Sequence, residues 1–203
     1  MPNDTRWTSD HREYVGGLWA EAAATTMTKL WKLGLKPHHR VLDVGCGSLR
    51  IGRFLLLYLK PGHYVGVDPV AWPIERAQAC EAGLEALCRA RKMTFVLSLE
   101  EALRVDGESR FDFVLAHGIF PHASLEECRK ILVHSKELLK PEGTFVASFK
   151  PGYEDQNPEP WTYPQGRTHS NRNMRGYAMG LWKKVWIDEE GHSRKGHVWL
   201  LAQ

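Results

Sequence analysis

Only four cysteines occur in 203 residues, Cys46, Cys80, Cys88 and Cys128, and no two of them form a C-x-x-C pair. The common zinc and redox spacings are therefore absent, and buried free thiols are the expected reading. A reducing, cytoplasmic compartment is expected with them. No apolar run approaches the ~20 residues that span a bilayer. Residues 1–12 are polar and charged and carry no apolar core of a secretory signal, so no membrane partner is expected. A charge excess is missing too: 27 Lys and Arg stand against 24 Asp and Glu, a formal net charge of +3. Phosphate-binding surfaces rely on concentrated basic patches. The nearest stretch, Arg167 to Lys195, interleaves its cations with aromatics and acids, so no nucleic-acid partner is expected. There is no internal repeat and no low-complexity tract.

The composition is that of an ordinary globular chain, 43% hydrophobic and 25% charged, long enough to bury a core without metals or disulfides. Helix-spaced apolar residues run from Gly17 to Leu33, with Gly34 as the stop signal. From Val41 onward short apolar runs alternate with helical patterns. Strands are expected at 41–44, 64–67, 94–97, 111–116 and 144–149. Helices are expected over 51–59, from Pro73 to Arg91, and from a Ser124/Glu127 capping box to Leu139. Pro141-Glu142-Gly143 reads as a turn. The alternation predicts an α/β fold with a doubly wound, mostly parallel sheet and helices on both faces. After Lys150 a proline-rich polar loop leads to a helix over 170–180. Two strands, 183–187 and 197–202, around Glu189-Glu190-Gly191 then form a C-terminal antiparallel hairpin, for seven strands in all. The expected organisation is one domain: a cap and helix over 1–35, a core over 40–150, a loop and helix over 151–182, and a closing hairpin over 183–203.

The most informative stretch is Val41-Leu42-Asp43-Val44-Gly45-Cys46-Gly47-Ser48-Leu49-Arg50. A strand ends in glycines that allow a tight turn and a close backbone approach to a ligand. The dinucleotide fingerprint requires a third glycine where Arg50 stands. Asp43 would repel a pyrophosphate but suits a ligand with an amino group. Asp68 closes the next strand about 20 residues after the turn, where an acid binds ribose hydroxyls. A nicotinamide enzyme would place an acid there as well, so Asp68 indicates a ribose without choosing the cofactor.

Asp43-x-Gly45-x-Gly47 with Asp68 resembles motifs I and II of class I S-adenosylmethionine-dependent methyltransferases. Phe111-Asp112-Phe113-Val114-Leu115-Ala116-His117 resembles their fourth strand, and Leu138-Leu139-Lys140-Pro141-Glu142-Gly143-Thr144-Phe145 the entry to their fifth. The resemblance covers residues 40 to 150 well. Asp10 to Gly17, taken with Gly45 to Arg50, is similar to a bacterial subgroup of such enzymes. The resemblance implies a Rossmann-like fold, S-adenosyl-L-methionine as cofactor, S-adenosyl-L-homocysteine as product, and transfer of a methyl group. It places Asp43 at the methionyl amine, Gly45, Cys46, Gly47 and Arg50 around the methionine part, and Asp68 on the ribose. Val70 or Pro69 falls at the adenine, as does Leu99, with a backbone contact at Ser98 or the Glu100 side chain for its amine, and His117 and Gly118 fall near the sulfonium. Two positions depart from the pattern. Leu49 replaces a small residue of the turn, and Ser98-Leu99-Glu100 stands where an acid or amide normally meets the adenine amine.

Methyl transfer needs alignment, exclusion of water and, for a hydroxyl or protonated amine, a base. Imidazole titrates near neutrality, which makes His122 and His117 the candidate bases. The acceptor pocket is expected to draw on Tyr14, Trp19, Tyr153, Trp161, Tyr163, His169 and Tyr177. Trp31, Trp182, Trp186 and Trp199 are expected in the core or on sheet faces. No N/D-P-P-Y/F tetrad follows the fourth strand, so a small-molecule or saccharide acceptor is favoured over a nucleobase. No histidine or carboxylate spacing indicates a metal. A non-catalytic S-adenosylmethionine-binding module and a nicotinamide-dependent oxidoreductase are the competing readings. Either a monomer or a homodimer is compatible with the sequence.

Overall fold

The computed structural model describes residues 10–105, 110–155, 157–190, 192 and 196–203. Seven strands form one sheet in the order β3-β2-β1-β4-β5-β7-β6. They are β1 (Val41–Val44), β2 (Tyr64–Val67), β3 (Thr94–Val96), β4 (Phe111–Ala116), β5 (Leu139–Phe149), β6 (Val185–Asp188) and β7 (Val198–Ala202). β1 pairs in parallel with β2 and β4, β2 with β3, and β4 with β5. β7 alone runs antiparallel, between β5 and β6. The chain reverses direction across the sheet between β1 and β4, and open α/β sheets bind their ligands beyond the carboxyl ends of such strands.

Alternate residues of the strands feed two cores. On one face Leu42, Val44, Val114, Ala116, Phe145 and Trp182 are buried with α7 (Leu125–Leu138) and α8 (Asn171–Met179). On the other, Val41, Phe113, Leu115, Val146 and Trp199 pack with α2 (Trp19–Lys32) and α3 (Gly52–Tyr58). Each fully buried large apolar side chain contributes about 1.5–3 kcal/mol, which is what sets the register of so short a β1.

Several elements differ from expectation. The helix expected from Pro73 to Arg91 is two, α4 (Trp72–Cys80) and α5 (Leu84–Ala90). Gly83 adopts φ +77° at the break, and Glu81 there turns its carboxylate toward Arg12 and Arg53. Cys80, at the end of α4, is exposed rather than buried, unlike the other three cysteines. No turn interrupts the chain at Pro141: β5 begins at Leu139, and the register shifts so that Phe111 faces Leu139 while Phe113 faces Thr144. A Cβ on Gly143 would meet Leu139 Cδ2 at 2.7 Å and the Phe111 carbonyl oxygen at 3.0 Å, so the bulge needs a glycine. Ser124 caps α7 by accepting from the Glu127 N–H, but its own N–H donates to the Pro160 carbonyl rather than to the Glu127 side chain. Trp182 and Trp199 are buried, whereas Trp31 is 51% exposed. Glu189 and Glu190 follow β6 as expected, while Gly191 of the anticipated turn and Arg194 and Lys195 of the basic stretch lie outside the described residues.

Candidate active site

Gly45 (φ +72°), Gly47 (φ +50°) and Leu49 (φ +60°) all adopt the left-handed conformation as the chain leaves β1. The turn is pinned to β2, because the Val67 carbonyl accepts from the N–H groups of Gly45 (2.7 Å) and Cys46 (3.1 Å). Leu49 is fully buried, so the side chain that replaces a small residue enters the core instead of narrowing the cleft. The helix that follows starts only at Gly52. A Cβ there would fall 2.4 Å from the Tyr64 hydroxyl and 2.8 Å from Leu49 Cδ2. Gly52, two residues after Arg50, therefore makes the close helix–strand packing. Cys46 is buried against Gly66 of β2, where a Cβ would come within 2.9 Å of its sulfur.

Asp43 projects from β1 beneath this turn. It is buried and accepts a 2.8 Å hydrogen bond from the Tyr64 hydroxyl. Burial raises its carboxyl to about 7, opposed by the Tyr64 bond and by the Arg50 charge and reinforced by Asp68. Asp68 closes β2. One of its oxygens accepts from the Gly47 N–H and the other from the Val70 N–H, each at 3.0 Å. Burial pushes its carboxyl up as well, against the pull of those two bonds. Pro69 is exposed and Val70 half-buried beside it. Ser98 caps α6 (Leu99–Ala102) by accepting from Glu101 N–H, and Leu99 packs on the core. Glu100 faces α7, 3.6 Å from His134.

Arg50 donates to the carbonyls of Val15 (2.8 Å) and Gly17 (2.7 Å). It thereby ties the N-terminal segment to the glycine turn. Asp43, Gly45, Cys46, Arg50, His117, Val15 and Ile51 line one narrow cleft. A carboxylate and a guanidinium thus face a common space, the pairing that an amino-acid zwitterion requires. Gly118 (φ +73°) donates to Ser148 Oγ at 2.8 Å, and a Cβ on it would stand 4.0 Å from the Arg50 guanidinium. The turn is covered from outside. A Cβ on Gly45 would fall 2.0 Å from Ile119 Cδ1, and one on Gly47 2.6 Å from Val15 Cγ1. Val15 follows α1 (His11–Tyr14), which is held down by Glu81. That carboxylate bonds Arg12 Nε at 2.6 Å and also meets Arg53 and His11.

The two expected bases are set differently. His117 is buried against Trp199 (5.5 Å between rings) and stacked on His192 (5.2 Å). His122 lies in the short 3-10 turn Phe120–His122, with Nδ1 2.9 Å from the Gln165 carbonyl oxygen. Only an N–H at Nδ1 suits that oxygen, which leaves Nε2 as the basic nitrogen of the neutral ring.

Of the expected acceptor residues, Tyr14 is at the site. Its ring meets Trp72 (4.7 Å) and Tyr163 (5.2 Å), and Tyr163 meets His122 (4.8 Å). Burial and the neighbouring Asp68 charge raise its phenol. Trp19 stands elsewhere, as a platform under the guanidinium groups of Arg53 (4.4 Å) and Arg12 (5.2 Å). Tyr153 is 96% exposed. Trp161 is half exposed and bridges to Ala123. Tyr177 is on α8, which packs against α7, β6 and β7 at the far side of the sheet. His169, expected in the pocket, is 1% exposed. Its Nδ1 meets Glu154 (2.7 Å) and its Nε2 the carbonyls of Phe120 (3.0 Å) and Ala123 (3.1 Å). It fastens the loop after β5 to the His122 turn instead of facing a ligand. Arg167, also buried, donates to the Glu159 carbonyl at 2.8 Å and secures the same loop. Tyr64, Gly52, Ile119, Trp72 and Glu81 carry no motif and were not expected at the site, whereas Tyr163 was expected there and meets Tyr14 and His122. The β1–β2 register sets Tyr64 beside Val41 rather than Asp43, and its hydroxyl reaches two residues along β1 to the carboxylate. Among the described residues no group of three or more histidine, cysteine or acidic side chains is placed to hold a metal, and no helix is long and apolar enough to cross a membrane.

A family model described as a methyltransferase domain matches residues 42–145. An uncharacterized protein of Rickettsia prowazekii is 29% identical over 137 residues, 65% of this chain and 52% of that protein. The chain thus spans about half the length of this curated relative. Among solved structures, the magnesium protoporphyrin IX methyltransferase of Synechocystis PCC 6803 with bound SAM has a TM-score of 0.63 at 18% identity, covering 89% of this chain and 76% of that one. A glycopeptide N-methyltransferase in complex with sinefungin has a TM-score of 0.65 at 16% identity, covering 91% and 94%. Likeness at these identities is likeness of fold.

Proposed function

Since the chain belongs to the methyltransferase-domain family, we propose that it binds S-adenosylmethionine across the ends of β1, β2 and β4 and transfers its methyl group to a small-molecule or saccharide acceptor. The observation that carries this reading is the convergence of Asp43 and Arg50 on one cleft beside the left-handed glycine turn, with Asp68 tied to that turn. Asp43 would receive the amino group and Arg50 the carboxylate of the methionine part. Asp68 would exchange its bonds to backbone N–H groups for the ribose hydroxyls. Pro69, Val70, Ser98 and Leu99 would border the adenine, with Tyr14 closing over the ribose side. Val15 and Ile119 must withdraw to admit the ligand, and the segment from Asp10 to Gly17 is the part that covers the turn.

When bound, the sulfonium supplies an electrophilic methyl carbon: an acceptor lone pair forms the new bond as the C–S bond breaks and its electron pair stays on sulfur. His122, oriented by the Gln165 carbonyl, would take the acceptor's proton on Nε2. Tyr14, Trp72 and Tyr163 would exclude water at the mouth. An oxidoreductase reading fits less well, because Asp43 lies where a pyrophosphate would have to approach.

Calorimetric titration of S-adenosylmethionine, S-adenosylhomocysteine and NAD into the protein and an Asp68→Ala variant tests this. Binding of the first two, none of NAD, and loss in the variant are expected. Binding of NAD alone, or of no ligand, overturns the reading. Binding without turnover in a broad acceptor screen would favour a non-catalytic module.

A further inference from the structure

Between Ala22 and Val67 the sequence holds a single carboxylate, Asp43, against Lys29, Lys32, Lys36, Arg40, Arg50, Arg53 and Lys60. Asp43 is buried, so none of this stretch presents a negative charge to solvent. The structure divides the cations. Lys29 is buried and paired with Asp188 at 2.7 Å, Arg53 meets Glu81 and Trp19, and Arg50 is bound to the carbonyls of Val15 and Gly17. Lys32, Lys36 and Lys60 are exposed, Lys32 acting together with Lys29 on Asp188.

These three lysines border an apolar surface. Trp31 at the end of α2 is 51% exposed, and on α3 Phe54 is 40% and Leu57 63% exposed. Phe54, Leu57 and Tyr58 share one helix face by their i, i+3, i+4 spacing. The rings of Trp31 and Tyr58 are 5.8 Å apart, which joins the two helices into one patch. The Tyr58 hydroxyl donates to the Leu35 carbonyl at 3.1 Å, and Lys60 N–H to the Pro37 carbonyl at 2.7 Å. Lys36 and Lys60 are thereby fixed at its border. The nearest exposed acid on α2, Glu21, lies about 15 Å along the helix from Trp31. Glu85 on α5 is paired with Arg89.

We propose that this α2–α3 face docks on an anionic lipid bilayer, with Trp31, Phe54 and Leu57 entering the interface and Lys32, Lys36 and Lys60 meeting lipid phosphates. Aromatic and aliphatic side chains ringed by lysine are the composition of interfacial membrane contacts. Charge decides among occupants. A second copy related by a two-fold axis would set these lysines against one another. Nucleic-acid surfaces draw on arginine forks, yet Arg50 and Arg53 are engaged by Val15, Gly17, Glu81 and Trp19, and Leu57, the most exposed apolar side chain of the patch, offers a phosphate nothing. The absence of a spanning run, which led to no membrane partner being expected, does not bear on a peripheral contact. The inference does not rest on the proposed cofactor.

Co-sedimentation with vesicles of phosphatidylcholine, with and without phosphatidylglycerol, tests it on the full chain. Binding to the anionic vesicles alone, weakening as salt rises, is expected. Lys32→Gln/Lys36→Gln/Lys60→Gln should weaken partitioning at least ~100-fold, and Trp31→Ser/Leu57→Ser at least ~10-fold, both with unchanged thermal melting. Equal binding to neutral vesicles, no binding to anionic vesicles at low salt, or variants that bind as well as the parent would overturn the proposal. So would a dimer in light scattering that Leu57→Ser disperses, or preferential binding of an RNA oligonucleotide.

Discussion

The carboxylate of Asp68 reaches back 21 residues along the chain to accept a hydrogen bond from the Gly47 N–H at 3.0 Å. The carboxylate at the end of β2 and the glycine turn after β1 are therefore one mechanical unit. Asp68→Ala leaves the Gly47 and Val70 N–H groups without their carboxylate. The bonds to ribose hydroxyls for which Asp68 would exchange these are charge-assisted, about 1.5–3 kcal/mol each, so the affinity for S-adenosylhomocysteine should fall ~10- to 100-fold in calorimetry. A variant that binds as well as the parent would remove Asp68 from the site.

Gly45 offers a steric test of the same turn. At φ +72° an alanine is strained, and its Cβ would fall 2.0 Å from Ile119 Cδ1. The left-handed conformation costs ~1–2 kcal/mol, a loss of roughly 2–8 °C in Tm for a chain of this length. Gly45→Ala should lose more than that because Ile119 must also move. Adding Ile119→Ala should restore part of the Tm but not ligand binding, because the new methyl then faces the cofactor. Full recovery of binding would show that the turn does not approach the ligand.

Asp43 makes the protein's stability fall as pH rises. Burial lifts its carboxyl to about 7, against about 3.9 in an unfolded chain. The folded state thus keeps a proton that the unfolded state has released between those values. Its stabilising effect is complete below pH ~4 and is lost as pH rises through 7. Asp68, also raised by burial, adds in the same direction. The decline should be on the order of a few kcal/mol, read from denaturant midpoints across this range, and Asp43→Asn should flatten it. A cationic amine bound beside Asp43 would favour the ionised form, so ligand binding just below pH 7 should release a proton. Calorimetry in buffers of different ionisation enthalpy measures that release, and its absence would place the amine elsewhere.

What the sequence made legible followed from local chemistry. Alternating short apolar runs and helical patterns read correctly as a wound sheet, because burial on both faces demands them. Asp43, Gly45, Gly47 and Asp68 were legible because a turn, a carboxylate and a strand end leave signals at fixed spacing. The break after Cys80 was not read, although Gly83 stands at it, and the Arg12 that meets Glu81 there lies 69 residues away in sequence. Trp31 was expected in the core or on a sheet face, yet it packs against Tyr58 with half of its surface left open. His169 was chosen as a ligand residue for its chemistry, while its partners Glu154, Phe120 and Ala123 are brought to it only by the folded loop.

The two histidines of that loop region should separate cleanly by experiment. His169 is buried, with both ring nitrogens engaged by protein oxygens, so His169→Ala removes one partner from the Glu154 carboxylate and from the Phe120 and Ala123 carbonyls and opens a buried space. That should lower Tm by roughly 5–15 °C while affinity for S-adenosylhomocysteine changes little, since the glycine turn is held by Val67 and Asp68 rather than by this loop. His122 is half-buried at the mouth, oriented by one carbonyl at 2.9 Å. His122→Ala should leave Tm and cofactor affinity near those of the parent and reduce kcat ~10²–10⁴-fold with an acceptor that must lose a proton. The activity remaining should lose the limb of the pH profile that an imidazole produces. If His122→Ala instead lowered Tm as His169→Ala does and kept kcat, then its bond to Gln165 would only hold the loop, and the proton would have to leave by another group.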